Sequence, residues 1–284
     1  MIRAYFDRNV FSALSEREGD LTAADIEKLR HAVSSGSVKI FGSPPLLEET
    51  AATMGQSREM HRRHMATVLE LIERRRLIKS SEDILRDDCY NYAFGLGEND
   101  RTMPATVSLM RTFERPEDEP DVRRVVAEGQ RRRTADTAQL NAVMAKARAD
   151  KRWAGSGRRY GIDELWKELG WMMVASWVDK CRPEIKKKCY KRGLERMLDL
   201  KSFRFYALYF TSVTYTGLFG MNGGPRKVKH GDLHDRHHAV CASAVNVFVT
   251  LESKTRPGHL GHALSLKATP RFEVLNLREF LGRI

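Results

Sequence analysis

The chain has few cysteines, and those it has form no recognisable metal or redox motif. Its four cysteines, Cys89, Cys181, Cys189 and Cys241, include no CxxC pair. The spacing between Cys181 and Cys189 matches no zinc-binding template. We therefore expect a reduced protein that resides in the cytoplasm.

The sequence also lacks an apolar run long enough to cross a membrane. The uncharged stretch at residues 205–220 falls short of the roughly 20 residues that a membrane-spanning helix needs, so we expect it to form core. The first eight residues carry Arg3, Asp7 and Arg8, and no apolar run of signal-peptide length follows. Neither secretion nor a membrane partner is expected.

Nucleotide-binding fingerprints are missing as well. The glycines at positions 217, 220, 223 and 224 do not form a GxGxxG motif after a strand, and no Walker sequence occurs. A dinucleotide-dependent enzyme is therefore not expected, and these glycines are better interpreted as a loop.

The charge of the chain is strongly positive. Lys and Arg total 49 against 37 Asp and Glu, which gives a formal net charge of +12 at pH 7. Such a field attracts polyanions, so nucleic acid is the first partner to test. The basic clusters are Arg131, Arg132 and Arg133; Arg158 and Arg159; and Lys186, Lys187 and Lys188. Solvated helix faces also explain such clusters, but for the first and last sets we expect contact with phosphate.

Apolar runs and helical periodicities alternate along the chain. Strands are predicted at residues 2–6, 38–42, 76–79, 247–250 and 272–275, and helices at 22–33, 43–75, 81–94 and 235–245, with a short helix at the end. This order predicts an α/β fold with three α/β/α layers around a central parallel sheet. We expect one domain, with its core at 1–97 and 203–284 and a mainly helical, basic insertion at about 98–202.

Four carboxylates fall at matching places in this predicted topology. Asp7 follows the first strand, Glu49 lies early in the helix after the second, Asp235 begins the helix before the strand at 247–250, and Glu252 lies just past that strand. Helix capping and helix dipoles explain each acid singly, but not all four at one sheet edge. Clustered carboxylates favour a hard cation, Mg²⁺ or Mn²⁺, at this edge.

Three sequence motifs carry a family resemblance. They are Phe6-Asp7-Arg8-Asn9-Val10; the segment from Ser43 to Glu49, with Glu48 as the register alternative; and Asp235-Arg-His-His-Ala239-Val-Cys-Ala242 followed by Val249-Thr250-Leu251-Glu252. With them the chain resembles the PIN-domain nuclease family over roughly residues 1–95 and 203–284. Glu252 stands where that family usually has Asp, and Arg8 where a small hydroxyl residue is common.

The resemblance implies a metal-dependent endoribonuclease that hydrolyses phosphodiester bonds. Asp7, Glu49, Asp235 and Glu252 would then bind the Mg²⁺ or Mn²⁺ and form the catalytic site. Asn9, Thr250 and the neighbouring acid Asp232 would support these ligands through hydrogen bonds. Toxin–antitoxin members of the family have an inhibitory partner, so an antitoxin-like protein and a homodimer stay open as further partners.

Two other functions stay open at this point. The segment His230-Gly-Asp232-Leu-His234-Asp235 contains a His-Asp dyad that resembles the all-helical, metal-dependent HD phosphohydrolases, with His61 or His64 as an upstream ligand. Alternatively, a catalytically impaired PIN-like protein would keep the fold and bind RNA through its basic insertion. We expect His237 and His238 to be packing residues.

Overall fold

The first strand, β1 (Ile2–Phe6), lies inside a four-stranded parallel sheet whose strand order is β2-β1-β5-β6. Its neighbours are β2 (Val38–Ile40) and β5 (Val247–Thr250), and β6 (Glu273–Asn276) closes the far edge. Ala4 lies opposite Ile40 on one side and Val247 on the other. The apolar runs form strands because both faces of a parallel sheet are covered. The predicted α/β fold with a parallel sheet is confirmed.

The computed structural model describes residues 1–18, 21–53, 57–106, 110, 120–149, 161–219, 227–251, 260–266 and 271–284. Within these residues the helices are α1 (Arg8–Glu16), α2 (Ala23–Ser34), α3 (Pro44–Ala52), α4 (Arg58–Leu71), α5 (Ser81–Phe94), α6 (Pro120–Ala149), α7 (Ile162–Val178), α8 (Pro183–Arg192), α9 (Lys201–Phe219), α10 (His230–Ala242), α11 (Leu260–Leu266) and α12 (Leu277–Leu281). A 3-10 helix, Leu194–Asp199, precedes α9. None of the described helices is both long enough and apolar enough to cross a membrane.

Capping side chains set several of the helix boundaries. The Thr22 hydroxyl accepts the backbone N–H of Asp25 and starts α2 where the sequence predicts it. The Ser43 hydroxyl accepts from Leu46 and starts α3, with prolines in its first turn. The prediction of one long helix over 43–75 is wrong, because α3 ends at Ala52 and α4 starts at the new cap Ser57.

The strand connections locate a switch point in the sheet. β1 connects through α1 and α2 to β2 on one side, whereas β5 connects through α11 to β6 on the other side. Successive strands are therefore added toward one edge of the sheet from β1 and toward the opposite edge from β5, and the switch lies between these two strands. Ligands of open parallel sheets bind beyond the carboxyl ends of the strands at such a switch point. Asp7 lies at that point, and its backbone N–H donates to Val249 at 2.9 Å.

The predicted strand at 76–79 exists but does not belong to the parallel sheet. β3 (Arg76–Ile78) pairs antiparallel with β4 (Thr102–Pro104), with Leu77 opposite Met103. β4 lies inside the stretch predicted as an insertion, so a short strand accompanies its helices. The sequence did not indicate this pairing, because β4 is only three residues long.

The described helices between residues 98 and 202 pack on the rest of the chain. α7 contacts α9, α8 contacts α5, and α6 contacts α10, α9 and α3. Val174, Val178 and Cys189 are buried in the same hydrophobic cluster as the sheet. These helices therefore share a core with the sheet.

Candidate functional site

Asp7 is the N-cap residue of α1, yet its carboxylate does not cap that helix. Its Oδ2 instead accepts a hydrogen bond from the Thr250 hydroxyl at 3.3 Å, at the end of the neighbouring strand β5. The Asn9 side-chain amide donates to the same oxygen at a longer 3.5 Å. Asp7 is only 7% exposed. The structure thus places Asp7, Asn9 and Thr250 together at the switch point.

Glu49 forms an ion pair with a histidine. Its Oε2 lies 3.1 Å from Nε2 of His238, which is wholly buried, and its Oε1 lies 3.9 Å from Nε2 of His234. The Glu49 side chain is 26% exposed. The expectation that His238 packs in the interior is correct for its burial but misses this ion pair.

A buried hydrogen-bond chain holds His238 from its other side. Nδ1 of His238 lies 2.5 Å from the Tyr5 hydroxyl, and that hydroxyl lies 2.7 Å from Oγ of Ser43. The chain therefore runs from Ser43 through Tyr5 and His238 to Glu49. It ties β1 to the start of α3 and to α10, and it fixes the direction of the Glu49 carboxylate.

The electrostatics of this chain favour a charged His238. Burial lowers the pKa of His238, but the hydrogen bond and charge of Glu49, with Asp7 and Glu48 adding, raise it above its ordinary value. Burial raises the pKa of Glu49, yet the hydrogen bond and charge of His238, with His234 and Arg8 adding, lower it to about 2. An imidazolium donates from both ring nitrogens, so His238 donates to Glu49 and to Tyr5.

The Tyr5 hydroxyl stays protonated in this chain. Burial raises the pKa of Tyr5, and the negative charges of Glu49 and Asp7 raise it further. The charge of Asp7 thus acts on both Tyr5 and His238. The Asp7 carboxylate at the switch point is therefore coupled electrostatically to the hydrogen-bond chain that ends at Glu49.

Asp235 lies inside α10 and does not begin it, because the helix starts at His230. The predicted start at about residue 235 is therefore wrong. Asp235 precedes His238 by three residues and follows His234, so the three share one face of the helix. Its carboxylate lies 3.4 Å from the hydroxyl of Tyr209, which is buried on α9.

The other predicted acids have different positions. Asp232 lies in the first turn of α10, where its carboxylate accepts from the Lys229 backbone N–H at 2.7 Å. Glu48 lies on the wall of a neighbouring cleft, while Glu49 of the same helix pairs with His238. Glu252 lies outside the described residues.

Among the described residues, Glu49, His234 and His238 form a group with metal-ligand chemistry, since one ligand atom of each lies within 4.8 Å of the others. Both ring nitrogens of His238 already have partners, and Nε2 of His234 lies 3.3 Å from the Pro45 carbonyl oxygen. A metal would have to displace these hydrogen bonds. This arrangement therefore fits a histidine-bound carboxylate better than a metal site.

A cleft of about 590 Å³ opens beside this group. Its walls include Glu48, Ser81, His234, Arg236 and His237. Nδ1 of His237 lies 2.6 Å from the Ser81 hydroxyl at the start of α5. The cleft therefore gives solvent access to His234 and to the surroundings of Glu49.

The predicted phosphate-binding residues lie on two helices. Arg131 is exposed on α6, and the side chains of Arg132 and Arg133 lie outside the described part, as do Arg158 and Arg159. On α8, Lys187 is exposed, Lys186 pairs with Asp179 and Lys188 with Glu184. Pairs this exposed contribute little energy and leave both lysines available to another anion.

Comparison of the chain with protein-family models, with curated proteins and with solved structures finds no match. The interpretation of the site therefore rests on the geometry of this chain.

Sequence reasoning missed Tyr5. It singled out Ser43 as the start of the second motif and His234 within the HD alternative, but not as the partners of Tyr5 and Glu49. Tyr5 is fully buried in the central strand, where a hydroxyl needs a partner, and this was the available signal. The histidines proposed for the HD alternative have other partners. His61 contacts the Thr50 carbonyl oxygen and His64 contacts Glu16, both at 3.1 Å. The parallel sheet also differs from the all-helical fold of that alternative.

Proposed function

We propose that the chain is a PIN-like, metal-dependent endoribonuclease. The observation that carries the proposal is Asp7: a helix N-cap residue at the switch point of a parallel sheet whose buried carboxylate does not cap the helix. A cap would contribute about 1 kcal/mol of stability. Thr250 and Asn9 hold the carboxylate in a different direction, which is the arrangement expected of a ligand.

The strand connections support the PIN-like, three-layer form of the fold. Crossovers between parallel strands are right-handed in nearly all proteins. Since the crossovers from β1 and from β5 run in opposite directions, α1 and α2 would cover one face and α11 the other. Asp7 would then lie between the layers at the open end of the sheet.

In the proposed site, Asp7 and Asp235 would hold the divalent ion, with Glu252 as the further predicted ligand. Mg²⁺ or Mn²⁺ would supply an activated water there and neutralise charge on the phosphodiester. Glu49, ionised and held by His238, would orient a water molecule with its carboxylate. Arg8, whose charge acts on Glu49, attracts the scissile phosphate. The excess positive charge of the chain draws RNA toward the site.

The direct test is cleavage of labelled single-stranded and hairpin RNA with Mn²⁺ or Mg²⁺. Asp7→Asn keeps the shape of the side chain but removes its charge, so we expect cleavage to be lost while the circular dichroism spectrum is unchanged. Asp199→Asn is the matched control, because the side chain of Asp199, at the end of the 3-10 helix, is 82% exposed. Cleavage by Asp7→Asn at the wild-type rate would overturn the proposal.

Metal affinity separates the roles of the carboxylates. Calorimetric titration with Mn²⁺ is expected to show a larger loss of affinity for Asp7→Asn and Asp235→Asn than for Glu49→Gln. The reason is that His234 and His238 already lie against the Glu49 carboxylate and compensate part of its negative charge. The reverse order would make Glu49 a principal ligand.

One observation favours an RNA-binding protein without catalysis as the second candidate. Arg8 and His238 supply positive charge to Glu49 from within the protein, and Nε of Arg8 is buried without a hydrogen-bond partner among the described residues. Such a site needs less positive charge from a bound metal ion. RNA binding in EDTA combined with no cleavage in Mn²⁺ would select this candidate.

A further inference from the structure

A surface of exposed cations and aromatic rings lies where α8 packs on α5. It consists of Tyr90 and Phe94 on α5 and of Lys187, Lys188, Lys191 and Arg192 on α8, and we name it the basic–aromatic surface. Cys189 fixes the packing from below, because it is fully buried with its Sγ 3.6 Å from the Cys89 carbonyl oxygen. Lys187 and Lys191, each two residues from Cys189 on α8, are exposed, as is Arg192.

The aromatic side chains of this surface are arranged as a platform. Tyr90 is 47% exposed, and its ring centroid lies 4.7 Å from that of Phe94. The Lys188 ammonium lies 3.6 Å from the Phe94 ring centroid. A tyrosine this exposed contributes little to the core, and an exposed aromatic ring can stack on a planar ligand.

The basic–aromatic surface has more basic than acidic residues. Helix α8 contains five basic residues and one acidic residue, Glu184. Lys187, Lys191 and Arg192 are exposed and form no ion pair within the described part of the chain. Interaction with the C-terminal helix dipole accounts for Lys191 and Arg192 but not for Lys187.

We propose that the basic–aromatic surface binds single-stranded nucleic acid. Sequence-tolerant recognition of single strands combines cations that follow the phosphates with aromatic rings on which bases stack. An anionic membrane or an acidic protein would use the cations but has no need of the exposed Tyr90 ring beside Phe94. In a duplex the bases are already stacked, so the rings favour a single strand.

Helix α5 connects this surface with the candidate site. Its first residue, Ser81, bonds His237 on the wall of the cleft. Tyr90 lies nine residues further on and Phe94 thirteen, which is about 14 to 20 Å along the helix axis. A strand bound on the surface and running along α5 would reach the cleft. This positioning rests on the proposed function, whereas the binding itself does not.

The test is fluorescence anisotropy with a short, labelled, unstructured oligoribonucleotide, in EDTA so that no cleavage can occur. We expect Tyr90→Ala to weaken binding about fivefold or more, because one stacked base contributes roughly 1–3 kcal/mol. Tyr90→Phe keeps the ring and should bind like the wild type. Binding of the same sequence as a duplex should not respond to Tyr90→Ala.

Salt dependence tests the cations. The double variant Lys187→Ala, Lys191→Ala should reduce the slope of log affinity against log salt by about 1.4, since each phosphate contact on a single strand contributes roughly 0.7. Lys167→Ala is the control, because Lys167 is an exposed lysine on α7 and is not part of the basic–aromatic surface. It should leave the slope unchanged.

Two results would overturn the proposal: Tyr90→Ala binding RNA as tightly as the wild type, or tight binding to phosphatidylserine vesicles with none to RNA. Absence of cleavage in the wild type with Mn²⁺ would instead contradict the proposed function. The binding measurement in EDTA is unaffected by that outcome, so the two failures are distinguishable.

Discussion

The His238 imidazole and the Glu49 carboxylate form an ion pair between α10 and α3, with 3.1 Å between Nε2 and Oε2, although 189 positions separate them in the sequence. His238 is fully buried and Glu49 is largely buried. His238 supplies positive charge to Glu49 from inside the protein. It also makes the stability of the site depend on pH.

Replacement of His238 by Gln is expected to lower the free energy of unfolding by about 2 to 4 kcal/mol. Removing one partner leaves Glu49 ionised and poorly compensated, and the partial exposure of Glu49 reduces the cost below that of a fully buried pair. Urea unfolding measures the change. His31→Gln on the exposed part of α2 is the control and should stay within about 0.5 kcal/mol. Equal stability of both variants would argue against the pair.

The pH dependence of stability follows from the directions of the two pKa shifts. The folded pKa of Glu49 is about 2, below its reference value of 4.5, so its contribution is present above pH 4.5 and is lost as pH falls toward 2. The folded pKa of His238 is raised above 6.5, so its contribution is present below pH 6.5 and is lost as pH rises through the folded value.

The difference in unfolding free energy between wild type and His238→Gln should therefore be largest between about pH 4.5 and 6.5. It should shrink on the alkaline side of that window. Urea titrations at a series of pH values measure it. A difference that stays constant into the alkaline range would mean that His238 is neutral in the folded protein.

Tyr5→Phe tests the buried hydrogen-bond chain. The substitution removes one oxygen without changing the ring, and it leaves Nδ1 of His238 and the Ser43 hydroxyl each without their Tyr5 partner. We expect a loss of about 1 to 3 kcal/mol in thermal or urea unfolding. Tyr206→Phe on α9 is the control, because its hydroxyl has no hydrogen-bond partner among the residues described. An equal effect of the two substitutions would show that the chain contributes nothing specific.

Gly261→Ala is expected to disturb Asp7 through Thr250. A Cβ at position 261 would lie 2.9 Å from Cγ2 of Thr250, whose hydroxyl donates to Asp7. The clash should cost about 1 to 3 kcal/mol in urea unfolding and should weaken Mn²⁺ binding. Gly231→Ala is the control, since a Cβ there meets nothing within 4 Å and alanine favours the helix. Unchanged metal affinity in Gly261→Ala would show that Thr250 does not support metal binding by Asp7.

The helices that the sequence predicted well are those marked by a local sequence signal, such as a capping residue or an apolar periodicity. Thr22 accepts from the N–H three residues on and starts α2, and the periodic stretch at 81–94 is α5. The long helix over 43–75 was wrong because helix propensity continues across the break, where Ser57 caps a new helix. The start of α10 was also placed too late, because His230 and Gly231 carry no apolar periodicity.

The sequence by itself predicted acidic residues at the ends of strands and in the helices between them, because the alternation of strands and helices is a local property of the chain. It therefore identified Asp7, Glu49 and Asp235 as candidates. Only the tertiary structure decided their partners: Thr250 for Asp7, His238 for Glu49, and Tyr5 behind His238. The physical reason is that hydrogen bonds and pKa shifts depend on which buried groups packing brings within about 3 Å. No spacing along the chain encodes that distance.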